Sequence, residues 1–222
     1  MNCFQAEIDI GHIKIDKPIV ENGNGNTLIL FAHGAGLGMD SEFMVYMAKG
    51  LAEQGFWVVS FNFPYMQICT KEGGKRPPDR APKLLQCFAD YLQLAKMDNG
   101  ITNIILMGKS MGGRMAAMLA ETESVSGVIC LGYPFLPPKK LEPRLSPLQK
   151  SMVPVLVIQG ERDKFGNKTQ ISNWSLGDNT RVEWIADGDH SFLPRKSSGK
   201  SHETNMTKAI GLCVDFIGEL NA

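Results

Sequence analysis

The sequence predicts an α/β fold: a mostly parallel central sheet with helices on both faces. Three observations carry this. Continuous apolar runs of strand length recur along the chain (TLILFAH, FWVVSFN, NIILMG, GVICLG, VPVLVIQG), as strands buried on both sides require. Helix-like runs separate them, so strand and helix alternate as in βαβ units. No stretch reads as an interdomain linker, so residues 1–222 are expected to form a single domain.

The elements follow in order. EIDIGHIKI alternates like an edge strand, and NGNGN at 22–26 is a turn. TLILFAH (27–33) is a buried strand, followed by glycines at 34, 36 and 38. Residues 41–55 start on Ser41 and end on Gly55, which reads as a capped helix. FWVVSFN (56–62) is the next strand. Residues 64–82, rich in Pro, Gly and basic side chains, are expected to be a long loop. A helix over 83–97 leads to strand 103–108 and helix 111–122. Strand 127–132 leads into a proline-rich connection at 133–150. Strand 153–160, a helix near 167–175, strand 181–186 and a helix from about Thr204 to Leu220 complete the chain.

Composition narrows the function. Hydrophobic residues make up 43% of the 222, enough for a sizeable core. Lys plus Arg and Asp plus Glu are both 23, so the net charge is zero and nothing global attracts nucleic acid or an anionic membrane. Five scattered cysteines without a CxxC pair read as reduced thiols of a cytoplasmic protein, with no metal site. The N-terminus has no signal-peptide pattern, and no apolar run approaches the roughly 20 residues of a membrane helix.

MGKSMGG (107–113) admits two chemistries. A P-loop needs glycine five residues before Gly108, but position 103 is Asn and 104–107 are apolar strand residues. Gly-x-Ser-x-Gly fits better. There a serine sits on a sharp strand-to-helix turn, and glycines two positions either side avoid collision. Gly108, Ser110 and Gly112 supply all three. Alone, the match reads better as a punctuated turn with Ser110 as helix cap.

Partners decide between these readings. A serine hydroxyl needs a base to take its proton, and the base needs an orienting acid. Asp163 follows the strand ending at 160, and His190 follows the strand ending at 186. In open α/β sheets such loops gather at the carboxyl edge, beside the serine. Asp187 and Asp189 are rival acids that lie too close to His190 in sequence and should shape its loop. Glu161 is a weaker rival. His12 and His202 read as surface residues, and His33 as structural. Two N–H donors should face the developing oxyanion: Met111, after the serine, and Ala35, in HGAG (33–36). GAGLGM fails as a dinucleotide fingerprint, since position 39 is Met and the next strand ends in Asn62.

HGAG, GKSMGG, the Asp163 loop and GDHSF together resemble an α/β-hydrolase. FPYM (63–66), RPPDRAP (76–82), GYPFLPP (132–138), GERDKFG (160–166) and GDHSF (188–192) are similar to small bacterial hydrolases, dienelactone-hydrolase-like, grouped with testis-expressed protein 30 and a regulatory subunit of the nonspecific-lethal complex. The resemblance spans about Leu28 to Leu220. It implies an α/β-hydrolase fold with Ser110, Asp163 and His190 as triad; acyl transfer by such a triad requires no metal or organic cofactor. The eukaryotic relatives also imply that the fold can serve as a binding module.

The expected chemistry is acyl transfer from a small-molecule ester or thioester to water, with a serine peptidase or a non-catalytic binding protein as alternatives. Five prolines within 133–150 argue against a helical cap domain, so the site should be open. KEGGKRPPDRAPK (71–83) carries five basic and two acidic residues. Arg76 and Arg80 are therefore candidate contacts for an anionic substrate; the competing reading is a solvated loop whose arginines pair with Asp79 and its neighbours. Oligomeric state is not legible.

Overall fold

The apolar runs become the parallel strands of one sheet, seen in a computed structural model that describes residues 13–17 and 25–221. Seven described strands lie in the order β1-β3-β2-β4-β5-β6-β7. They are β1 (Ile13–Asp16), β2 (Thr27–Ala32), β3 (Trp57–Phe61), β4 (Asn103–Lys109), β5 (Gly127–Leu131), β6 (Val155–Gly160) and β7 (Thr180–Ile185). β1 runs antiparallel to β3, and every other pairing is parallel. Expected strand residues 7–12, with His12 among them, lie outside the described residues.

Side chains alternate across the sheet and build a core on each face. On β2 and β4, Leu28, Leu30, Ala32 and Leu106 face α3 (Ala81–Lys96) and α4 (Met111–Leu119). Ile29, Phe31, Ile105 and Met107 face α1 (Glu42–Glu53) and α7 (His202–Leu220). Leu106 is fully buried in the middle of this sandwich. Truncating it to Ala is expected to cost about 2–5 kcal/mol.

Residues 64–82 depart from expectation. Pro64–Glu72 is a helix, α2, not loop. Its proline sits in the first turn, where the missing N–H is unneeded and the fixed φ suits a helix, and Gly73 at φ 76° ends it. For the same reason α3 starts at Ala81, with Pro82 in its first turn. The helix expected near 167–175 is one turn, α6 (Lys168–Ile171), held by a reciprocal Asn167–Gln170 capping box. Helix α7 begins at His202, capped by the Ser201 hydroxyl accepting from the Thr204 N–H. The connection 133–150 holds one turn of helix, α5 (Ser146–Gln149), and no cap domain. No helix among the described residues is long and apolar enough to cross a membrane.

Strand register positions the site. Ala32 pairs with Phe61 on one side and Gly108 on the other, and Gly160 pairs with Ile185. The carboxyl ends of β2, β4, β6 and β7 thus release their loops along one edge of the sheet.

Candidate active site

Ser110 stands between β4 and α4 at φ 52°, ψ −111°. That left-handed backbone is strained for a residue with a side chain. Neighbouring backbone holds it in place: the Ser110 N–H donates to Leu131 O at 2.9 Å, and the Ser110 carbonyl accepts from Arg114 N–H at 3.1 Å. Both flanking glycines are sterically required. A side chain on Gly108 would fall into the Gly112 and Gly113 backbone, and one on Gly112 into the Ala32 and His33 carbonyls. Strand β4 runs unbroken through 103–109, leaving no phosphate-binding loop there.

Three predicted side chains meet at this turn. The His190 Nε2 lies 2.9 Å from Ser110 Oγ, and His190 Nδ1 lies 2.7 Å from Asp163 Oδ2. Asp163 is completely buried. Its carboxylate also accepts from Gln159 Nε2 at 2.9 Å and from the Phe165 N–H at 2.8 Å. Gln159 is itself anchored on the Tyr133 and Gly166 carbonyls. Acceptors on that side leave the Nδ1 of His190 as the protonated nitrogen and Nε2 free to take a proton from serine. Burial pushes the imidazole below its ordinary range, the bond to Asp163 opposes this, and the Lys109 charge adds to it. The ring is therefore neutral at neutral pH.

The rival acids are occupied elsewhere. Asp189 Oδ1 accepts from the Ser191 and Leu193 N–H groups, and Asp187 pairs with Arg195 and Arg162. Glu161 accepts from the Asp187 N–H and pairs with Lys168. His202 departs from a simple surface residue: its Nε2 donates to Ser191 O at 2.9 Å, bracing the His190 loop from α7.

The glycine loop after β2 packs on the serine turn. A Cβ on Gly34 would lie 3.6 Å from Ser110 Cβ, and Ala35 follows in the exposed bend. Met111 opens α4, so its N–H has no intrahelical acceptor. His33 holds the loop from beneath. It is wholly buried, its Nε2 accepts from the Phe63 N–H at 3.0 Å, and its Nδ1–H donates to Gly34 O at 2.7 Å. The Tyr65 hydroxyl lies 3.1 Å from Gly34 O and 3.2 Å from Ala35 O. Since a peptide is planar, gripping the Gly34 carbonyl also orients the N–H of Ala35. Tyr65 and Gln159 escape sequence reasoning; the FPYM wording is the sole hint of the former.

Neither Arg76 nor Arg80 hydrogen-bonds to these residues. Arg76 is exposed and pairs with Glu72 at 2.7 Å, while Asp79 pairs with Lys83 rather than an arginine. Arg80 is exposed at the start of α3. Among the described residues no group of His, Cys, Asp and Glu could hold a metal ion.

Sheet order, strained serine turn and the loops gathered at its edge define an α/β-hydrolase. The chain belongs to the alpha/beta hydrolase domain family, whose profile matches residues 25–218. Solved structures share the fold. An alpha-beta serine hydrolase homologue from Coxiella burnetii is 20% identical, with TM-score 0.70 and coverage of 91% of this chain and 89% of that one. Est1E from Butyrivibrio proteoclasticus, solved with ferulic acid bound, is 18% identical, with TM-score 0.71 and 94% of both chains covered. A serine hydrolase without lid from Xanthomonas campestris is 18% identical, with TM-score 0.61 and coverage of 90% and 84%. At these identities the likeness is one of fold.

Proposed function

We propose that this protein is a serine esterase in which Ser110 is the nucleophile, His190 the base and Asp163 the orienting acid. The observation that carries the reading is the unbroken chain Ser110 Oγ to His190 Nε2 (2.9 Å) and His190 Nδ1 to Asp163 (2.7 Å). Ser110 attacks an ester carbonyl as His190 takes its proton. Asp163 stabilises the imidazolium, and the N–H groups of Ala35 and Met111 receive the oxyanion. His190 then protonates the departing alcohol, and water repeats the sequence on the acyl-enzyme. No step calls for a metal or organic cofactor.

A cavity of about 400 Å³ is lined by Leu37 of the glycine loop and by Ser191, which follows His190, together with Phe43, Tyr46 and Met206. Its size and its mixed aromatic and polar wall support a small ester, with a short acyl chain or an aromatic acid such as the ferulic acid bound by Est1E. A thioester is the second reading within the same chemistry. Four described cysteines are free thiols, which supports a reducing, cytoplasmic setting.

The test is labelling of the purified protein by a fluorophosphonate probe beside Ser110→Ala. Wild type should label and the variant should not; a folded wild type that fails to label would falsify the esterase reading in favour of a binding module. An acyl panel of esters and thioesters then ranks substrates.

A further inference from the structure

Lys109 is the residue of the serine turn that the proposed chemistry leaves unused. By strand alternation it follows Ile105 and Met107 onto the apolar face of the sheet. A lysine there would ordinarily be excluded, since a buried ammonium without partners is costly. It is 8% exposed. Its stem passes the glycine loop, where a Cβ on Gly34 would lie 3.7 Å from Lys109 Cγ. Its Nζ donates to the backbone carbonyl of His190 at 2.7 Å and lies 5.4 Å from the centre of the Phe43 ring. Gly132, at φ 62°, keeps this path open: a side chain there would meet Lys109 Nζ at 3.0 Å and His190 O at 2.8 Å. One side chain thus links three loops around Ser110.

We propose that Lys109 is a positioning residue for His190: its ammonium, held on the His190 carbonyl, ties the histidine loop to the serine turn and keeps positive charge beside the imidazole. The kinetic consequence rests on the esterase reading; the geometry and the charge effect do not. The charged groups acting on this imidazole are Lys109 from β4, Asp163 from the loop after β6 and Asp189 from its own loop. The two carboxylates draw the ring towards its protonated form and Lys109 opposes them. Burial brings the lysine down to about 8, against the pull of Asp163 and Asp189, so it carries its charge at neutral pH. With the ammonium in place, His190 is held as free base and the residue is fixed at two points, the ring by Asp163 on Nδ1 and the backbone carbonyl by Lys109.

The experiment is an NMR titration of the imidazole Cε1–H of His190, assigned by its absence in His190→Gln. Wild type is compared with Lys109→Met, which keeps the stem length, and Lys109→Gln, which keeps a donor without charge. Removal of the cation should raise the His190 midpoint by roughly half a unit or more in both variants. If the esterase reading holds, the acid limb of kcat/KM moves up in parallel, and kcat of Lys109→Met falls about tenfold with KM within about twofold. An unmoved midpoint in both variants overturns the proposal, whatever activity does. A wild type that fails to label with fluorophosphonate removes the esterase reading, and the titration still decides this one.

Discussion

Acidification should weaken this fold through His33. The imidazole is wholly buried, with Nδ1–H given to Gly34 O and Nε2 accepting from the Phe63 N–H. A second proton would have to enter at Nε2, where a donor already points, and would bury a charge. Burial accordingly lowers its pKa from 6.5 to about 4. Between those values the unfolded chain binds a proton that the folded one refuses. The stabilisation is therefore complete above about pH 6.5 and is lost as pH falls towards 4, amounting to roughly 3 kcal/mol in all. Denaturant unfolding across this pH range, for wild type and His33→Gln, measures it. The free-energy gap should shift towards the variant by about that 3 kcal/mol, because glutamine does not titrate. Parallel curves for the two proteins, or a His33 resonance titrating near its ordinary value, would refute the argument.

Three further outcomes are expected. Asp163→Asn keeps the shape but removes the acceptor that sets the His190 tautomer, so kcat on an activated ester should fall about 10³- to 10⁴-fold with the fold intact by circular dichroism. Tyr65→Phe deletes the hydroxyl on the Gly34 and Ala35 carbonyls. About a tenfold loss in kcat with KM kept is expected if the loop orients an oxyanion donor, and affinity for a boronic acid analogue should drop in step. Arg76→Ala with Arg80→Ala should leave the ratio of kcat/KM for anionic and neutral esters within about twofold, since surface pairs of this kind contribute little; a selective loss on anionic esters would restore the basic loop as a binding element.

Strands were the most legible part of the chain. Burial on both faces leaves a continuous apolar run such as TLILFA or VLVIQG, and strand length with flanking turn residues separates it from a buried helix. The region after Phe63 was least legible. Pro64, Gly73, Gly74 and Pro82 look like loop punctuation, yet the prolines occupy first turns and Gly73 closes a helix. The helix expected near 167–175 is a single turn, α6, whose start is held by the Asn167–Gln170 capping box. Of the candidate site, Ser110, Asp163 and His190 could be named because each follows a buried strand in a fixed chain order. Tyr65, Gln159 and the inward course of Lys109 could not, because their partners lie on other loops.

The sequence by itself determined the alternation of strand and helix, the serine turn with its two obligatory glycines, and the strand ends from which the partner residues project. These follow from local sterics and from burial, which act over a few residues. Only the tertiary structure supplied the 2.7 Å contact that joins Asp163 to His190 Nδ1 and the separate partners that occupy Asp187, Asp189 and Glu161. It alone showed that His33 and Tyr65 share the Gly34 carbonyl and that a lysine on an apolar face reaches the carbonyl of His190. Those pairings depend on strand register and on which loops the packed helices press together, and no local pattern records a distance between residues tens of positions apart.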